Sequence, residues 1–271
     1  MANGQYDFAF SLGQACTCSL TLRAANLQFA SFPLDWVAEG TILSRAGLVA
    51  SRFAGWLEKD DFEYKGRNPK NGMGMFTNTR TGLRHPHDFS DGPIEASYGE
   101  AREKYRRREA RFLDMMTRSR RVLVVYVTRP DEIPAQLDDV VKARNILAEA
   151  FPDSTFDLIR FIHRQGLDFA DRIVDSPAPH ITEIVFDYRH PVSDVNPQKT
   201  AQALMDLGIT VTDYRTDKEK AAYALKVEQD TAKRKRAAAR KRKMDKYGTS
   251  STLGLMWARL RSHVAKMFSG R

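Results

Sequence analysis

Apolar strands alternate with amphipathic helices through the second half of the chain, and this alternation constrains the fold more than any other feature. Crossover helices join parallel strands, and such strands are buried on both faces, so they are apolar throughout. The pattern therefore predicts an α/β fold with a mostly parallel, Rossmann-like sheet flanked by helices. The strands are RVLVVYV (121–127), FDLIRFIH (156–163), TEIVFDY (182–188) and ITVTDY (209–214), and the helices cover 134–151 and 197–207.

The first half of the chain begins with the same order of strand and helix. YDFAFSLG (6–13) is predicted to be a buried strand that ends in a glycine turn, and residues 16–27 follow as a helix. A second helix is predicted over 40–57 and a long charged helix over 93–120. Two segments are expected to be less regular. FTNTRTGLRHPHDF (76–89), within the Gly-, Asn-, Pro- and Asp-rich residues 60–92, is predicted to be a hairpin or irregular loop, and a loop or short helix is predicted around DFADRIVDSP (168–177).

The positive charge of the chain is concentrated at its C-terminus. The net charge is +9; residues 231–271 contain thirteen Lys and Arg against the single acid Asp245, which gives +12 there and −3 for the first 230 residues. That first part resembles a slightly acidic enzyme domain, and nucleic acid is an unlikely partner for it. We predict an α/β domain over residues 1–216 and a basic, charged helical C-terminal extension over 217–271.

The end of this extension has the pattern of an amphipathic helix. Its basic residues lie mostly opposite an apolar stripe, and basic amphipathic helices with aromatic residues bind anionic membrane surfaces at about 1 kcal/mol per Lys or Arg. An anionic membrane surface is therefore the expected partner. The alternatives are a helix docked on the domain and a nucleic-acid-binding arm. The stripe comprises Leu253, Met256, Trp257, Leu260, Val264, Met267 and Phe268.

Composition and motifs also bear on location and cofactors. The chain has only two cysteines, its N-terminus lacks signal-peptide features, and no apolar run reaches the roughly 18 residues that span a bilayer. We expect a cytoplasmic protein that is peripheral at the inner face of the membrane. The C-x-C and H-x-H spacings match no standard zinc pattern, so no metal and no cofactor are expected. The oligomeric state and the substrate stay open.

Cys16 is the first candidate for chemistry, because it follows the first strand and stands at the start of a predicted helix. The positive end of a helix dipole and its amide N–H groups stabilise a thiolate and can hold a developing oxyanion. The alternative is a small core residue, which is what most cysteines without a disulfide are. Cys18 should face elsewhere, and we expect it to pack in the core.

A thiol nucleophile needs a base, and His87 is the candidate. Of the six histidines, His85 and His87 are expected in the most loop-like setting. Asp35 is expected to be partly buried and could orient His87, or it could instead cap the following helix. Asp88 is less well placed to orient His87, because adjacent side chains in extended structure point to opposite faces.

The run YRRREARF (105–112) is a further candidate binding feature within the long charged helix. Arginine offers forked donors that could grip a phosphate or a carboxylate. A solvated helix face is the simpler interpretation and the one that we favour.

Several of these segments resemble, in the same order, a family of bacterial proteins described as papain-like cysteine peptidases of unproven activity. The resemblance covers roughly residues 7 to 128 and implies Cys16 as nucleophile and His87 as base. Asp35 lies in the family's P-F-D-W element, here with Leu34 in place of Phe. The segments are SLGQACTCSLTLR (11–23), ASFPLDWV (30–37), FTNTRTGLRHPHDF (76–89), YRRREARFLDMM (105–116) and RVLVVYV (121–127).

The resemblance and the periodicity imply different folds. A papain-like protein packs its cysteine helix on an antiparallel sheet, whereas the periodicity predicts a parallel one, and for the fold we follow the periodicity. The expected function is a cysteine-nucleophile hydrolase or acyl-transfer enzyme. Because members of the family also look like neighbours of polysaccharide-assembly enzymes, the alternative is a glycan-assembly protein without cysteine catalysis, such as a sugar transferase or an accessory in polysaccharide or lipopolysaccharide synthesis.

Overall fold

The computed structural model describes residues 2, 4–13, 15–128, 134–164, 172–187 and 197–225, together with positions 228, 229, 232, 236 and 239. The chain divides into two compact units, residues 1–212 and 213–271. In chain order the elements are β1 (Gln5–Tyr6), β2 (Phe8–Gly13), α1 (Ala15–Ala24), a 3₁₀ helix (Pro33–Trp36), β3 (Ala38–Glu39), α2 (Ile42–Ala50), a 3₁₀ helix (Lys59–Asp61), β4 (Phe62–Arg67), β5 (Gly74–Asn78), β6 (Leu83–Phe89), α3 (Glu95–Arg118), β7 (Arg121–Val127), α4 (Leu137–Ala150), β8 (Thr155–Arg164), β9 (Arg172–Ala178), β10 (Ile181–Asp187), α5 (Pro197–Asp206) and β11 (Thr210–Val211).

The main sheet of the first unit has five strands in the order β2-β7-β8-β10-β9. Adjacent strands of this sheet run parallel, except that β9 is antiparallel to β10. The short strands β1 and β11 pair in parallel beside it. The α/β fold with a mostly parallel sheet is confirmed, and the antiparallel sheet implied by the papain-like label is not the sheet beneath the cysteine helix.

Both faces of this sheet are buried, which explains why β7 is apolar after Arg121. Along β7, Val122 and Val124 belong to one core cluster, while Leu123 and Val125 belong to the other. Helices α1 and α5 cover the second of these clusters, and α2, α3 and α4 cover the first. Alternate side chains of β7 therefore pack against two separate layers of helices.

The chain leaves the neighbouring strands β2 and β7 toward opposite faces of the sheet. After β2 it enters α1 on one face, and after β7 it enters α4 on the other. Such a divergence is a topological switch point, and in open α/β sheets ligands bind in the crevice at the carboxyl ends of the strands there. The end of β2, three residues before Cys16, lies at this crevice.

β5 and β6 form a hairpin within a second sheet, so the expectation of a hairpin at residues 76–89 was correct and that of an irregular loop was wrong. Four antiparallel strands lie in the order β3-β6-β5-β4. Gly and Asn close the turn between β5 and β6, where Gly82 has φ +70° and Asn78 Oδ1 accepts from Thr81 N at 2.9 Å. His85 and His87 both lie on β6, which corrects the prediction of a loop-like setting.

Two further predictions on element boundaries are corrected. The second helix ends at Ala50 rather than at residue 57, because Arg52 has φ +55° and Phe53 N bonds back to Leu48 O at 2.9 Å, which closes the helix. Most of β9 falls within residues 168–177, which were predicted to be a loop or short helix. It forms a hairpin with β10 through a turn at His180, where φ is +63°.

In the second unit, residues 217–225 are helical. Thr216 and Glu219 form a reciprocal cap: Glu219 N donates to Thr216 Oγ1 at 3.3 Å, and Thr216 N donates to Glu219 Oε2 at 2.8 Å. The predicted amphipathic helix at residues 253–268 lies outside the described residues. Within the described part of the chain, no helix is both long and apolar enough to cross a membrane.

Candidate active site

Cys16 lies near the start of α1, three residues after the end of β2, and its side chain is only partly exposed. Neither Cys16 nor Cys18 takes part in a disulfide. The strand, turn and helix thus place this thiol beside the switch point, where the amide groups of the first helical turn point toward the crevice.

Cys18 is sealed in the core on the sheet side of α1. It is fully buried, and its Sγ donates to Val125 O at 3.1 Å. Burial raises the pKa of the Cys18 thiol to about 12, and the nearby Asp35 carboxylate acts in the same direction. Cys18 therefore stays a thiol at neutral pH and packs as a small apolar residue, as expected from the sequence.

Gly13, the last residue of β2, is closely packed against a buried cation. A Cβ at Gly13 would stand 2.8 Å from the Tyr126 ring and 3.3 Å from Arg45 Cδ. Arg45 is fully buried and donates to the carbonyls of Val37, at 3.2 Å, and Glu39, at 3.1 Å. The backbone at Gly13 therefore has little room to shift.

Asp35 is fully buried beneath α1, in the 3₁₀ helix that follows it. Its Oδ2 accepts from Phe32 N at 2.8 Å and from Gln28 Nε2 at 2.6 Å, and Arg23 Nη2 is 3.7 Å away. Desolvation raises the pKa of Asp35 to about 6, although these partners oppose the shift. The alternative role as cap of the following helix was wrong, because Thr41 caps α2.

His87 points outward from β6 and contacts an asparagine. Its Nδ1 lies 2.6 Å from Asn71 Nδ2. Partial desolvation and the charge of Lys104 lower the pKa of His87, and Asp88 opposes them. Because its pKa is lowered, the imidazole is neutral at pH 7. The side chain is exposed to solvent.

The three residues predicted for one site are not joined by hydrogen bonds. Among the described residues, none links His87 to Cys16 or to Asp35. Gly13 lies next to the Arg45 side chain, and Arg45 donates to Glu39 O. Glu39 in turn pairs with Leu83 on β6. His87 lies four residues further along β6, in the stretch where its register with β5 is irregular. The roles of His87 as base and Asp35 as its orienting acid stay predictions.

A family comparison matches the part of the chain that contains these three residues. The family model described as "Putative papain-like cysteine peptidase (DUF1796)" matches residues 7–166. The chain belongs to this family. The match runs from β2 beyond the end of β8, so it includes the antiparallel sheet and most strands of the parallel one. No curated protein and no solved structure matched the chain.

A buried cluster of polar side chains on β6 and α3 was not predicted from the sequence. Asp88 Oδ2 accepts from Tyr105 Oη at 2.7 Å and lies 3.0 Å from His85 Nδ1. Asp88 Oδ1 accepts from Lys104 Nζ at 2.7 Å. His85 and Tyr105 are fully buried, and the hydrogen bonds to His85 and Lys104 hold the pKa of Asp88 well below its usual range despite its burial.

Two signals in the sequence could have found this cluster. His85 and Asp88 both lie in RHPHDF, and Tyr105 and Lys104 lie in the arginine-rich helix that the family resemblance had already singled out. Strict alternation would turn His85 and Asp88 to opposite faces, because they are an odd number of residues apart. A register irregularity between β5 and β6 brings both side chains inward.

The arginine-rich run is a solvated helix face at its centre, as favoured from the sequence. Arg106 and Arg107 both pair with Glu103, at 2.8 Å and 3.2 Å, and their side chains are 67% and 58% exposed. Within the described ranges, no group of three or more His, Cys, Asp and Glu side chains could hold a metal ion.

Proposed function

We propose that this chain is a cysteine-nucleophile enzyme of the hydrolase or acyl-transfer class, with Cys16 as the nucleophile. The observation that carries the proposal is the contrast between the two thiols. Cys18 is sealed, whereas Cys16 is partly exposed at the start of α1 and beside the switch point. Membership of a papain-like cysteine peptidase family supports the same assignment.

The chemistry follows from the position of the thiol. The Cys16 thiolate, stabilised by the helix N-terminus, attacks the carbonyl carbon of an acyl group and forms a thioester while the bond to the leaving group breaks. The leaving group takes up the proton that the thiol gave up. Water then cleaves the thioester, which releases the acid and restores the thiol. Amide groups of the first helical turn hold the oxyanion in both steps.

The proposal is tested by the pH dependence of thiol alkylation. Full-length protein is treated with iodoacetamide between pH 5 and 10, and the labelling of each cysteine is followed by mass spectrometry. Cys16 should react at neutral pH, and the pH at which it reaches half its maximal rate should be lower than for the same residue in the urea-denatured chain. Cys18 should be labelled only after denaturation.

Two matched variants complete the test. C18A should leave the labelling of Cys16 unchanged, and C16S should abolish labelling of the native protein. If Cys16 reacts with the same pH dependence in the native and denatured chains, the helix start does not activate it and the proposal fails. Stabilisation by nucleotide sugars that persists in C16S would instead favour the glycan-assembly alternative.

We further propose that the basic extension associates with anionic membrane surfaces. The support is the charge of +12 over residues 231–271 and the apolar stripe within the same segment. Full-length protein should co-sediment at low salt with vesicles containing phosphatidylserine, and a chain ending at residue 230 should not. Equal sedimentation of both forms, or none of the full-length form, would contradict this part of the proposal.

A further inference from the structure

The side-chain amide of Asn71 has an orientation that the backbone decides. Its Oδ1 accepts from Met73 N at 2.9 Å, and its Nδ2 donates to Pro86 O at 3.0 Å. A backbone N–H can only donate and a carbonyl can only accept, so exchanging the oxygen and nitrogen of the amide would set like against like at both contacts.

This orientation determines the tautomer of His87. Asn71 Nδ2 also lies 2.6 Å from His87 Nδ1. Because an amide nitrogen only donates, His87 Nδ1 must be the acceptor and present its lone pair. A neutral imidazole carries one N–H, so in His87 that proton is on Nε2. The remaining nitrogen is therefore a donor, whereas a general base must present a lone pair.

We propose that Asn71 is a positioning residue that holds His87 as the neutral Nε2–H tautomer, and that His87 donates this hydrogen to a carbonyl oxygen of the acyl substrate. In this arrangement His87 does not accept the proton of Cys16. The inference rests on the proposed function for the identity of the substrate, but the tautomer stands on its own. A neutral imidazole is known to polarise a carbonyl in this manner in another enzyme.

The surroundings of His87 agree with a neutral ring. Asp88, the next residue on β6, favours the protonated ring, whereas Lys104 on α3 and partial burial disfavour it. The net result is a lowered pKa, so the ring is neutral at pH 7. His87 is exposed on β6, so its Nε2–H can reach a carbonyl oxygen of a bound substrate.

The first test is spectroscopic and uses the full-length protein. Histidine is labelled with ¹⁵N, and long-range ¹H–¹⁵N correlation spectra distinguish a protonated from an unprotonated ring nitrogen. The signals of His87 are assigned by their loss in H87N. We expect Nε2 protonated and Nδ1 unprotonated at pH 7.5. A protonated Nδ1 would overturn the inference.

The second test reverses the tautomer. In N71D a carboxylate oxygen faces His87 Nδ1 and can only accept, so the proton should move to Nδ1 and the titration midpoint of the ring should rise by about one pH unit or more. An unchanged tautomer and midpoint in folded N71D would also overturn the inference. If N71D does not fold, the wild-type spectrum by itself decides which ring nitrogen of His87 is protonated.

The third test separates the role of donor from that of base. H87N should leave the pH midpoint of Cys16 alkylation unchanged, whereas loss of a base would move it to higher pH. A clear upward shift in H87N would overturn the donor role. An unreactive Cys16 in the wild-type protein would sink the proposed function but leave the tautomer of His87 to be decided by the spectra.

Discussion

The buried carboxylate of Asp88 offers the sharpest prediction for stability. Its side chain is 2% exposed and receives hydrogen bonds from three sides, from His85, Lys104 and Tyr105. In Asp88→Asn the negative charge is lost, and the new NH₂ group must face one of these donors. Removing one partner from a buried ion pair typically costs about 3–5 kcal/mol, and we expect the free energy of unfolding to fall by that amount.

The assay is urea unfolding at pH 7, with Asp114→Asn as the matched control. Asp114 pairs with Arg118 on the exposed side of α3 at 2.6 Å, and both side chains are at least half exposed. That pair should contribute less than about 1 kcal/mol. A loss below 1 kcal/mol in Asp88→Asn, or a loss equal to that of the control, would refute the reasoning.

The same substitution makes a prediction on pH. Because the pKa of Asp88 is lowered in the folded chain, its contribution is fully present above the unfolded value near 3.8 and is lost as the pH falls below it. The difference in stability between the wild-type protein and Asp88→Asn should therefore shrink as the pH falls below about 4. A difference that stays constant down to pH 3 would contradict the assignment of the charge.

Two further substitutions test the surroundings of Cys16. Burial raises the pKa of Asp35 to about 6, so its charge costs stability increasingly as the pH rises from the unfolded value near 3.8, and the full cost is reached above about pH 6. Asp35→Asn should therefore stabilise the protein at pH 8, by up to about 3 kcal/mol, and change little at pH 4. Destabilisation at pH 8 in thermal or urea unfolding would mean that the ion pair with Arg23 outweighs desolvation. Gly13→Ala places a Cβ 2.8 Å from the buried Tyr126 ring and should cost about 1–3 kcal/mol and slow Cys16 alkylation. Gly47→Ala, at an exposed position of α2 where a Cβ meets nothing within 4 Å, should stabilise by up to about 1 kcal/mol. Equal effects of the two glycine substitutions in urea unfolding would contradict the packing argument.

Local periodicity was enough to predict the parallel sheet and the place of Cys16. The uninterrupted apolar run of β7 can be buried only between two helical layers, and that requirement follows from composition alone. Likewise, a strand, a glycine turn and a helix in immediate succession bring Cys16 to the carboxyl end of β2 whatever surrounds it. Such features depend on neighbours a few residues apart, which the sequence displays directly.

The tertiary structure alone decided which polar side chains meet. His85 and His87 are two residues apart in one motif, yet His85 is buried against Asp88 and Tyr105 while His87 is exposed and bonded to Asn71. The difference comes from an irregular register between β5 and β6 and from a helix that begins after β6 has ended. Hydrogen-bond partners, tautomers and shifted pKa values depend on groups brought together across the chain, and no local pattern of residues encodes that arrangement.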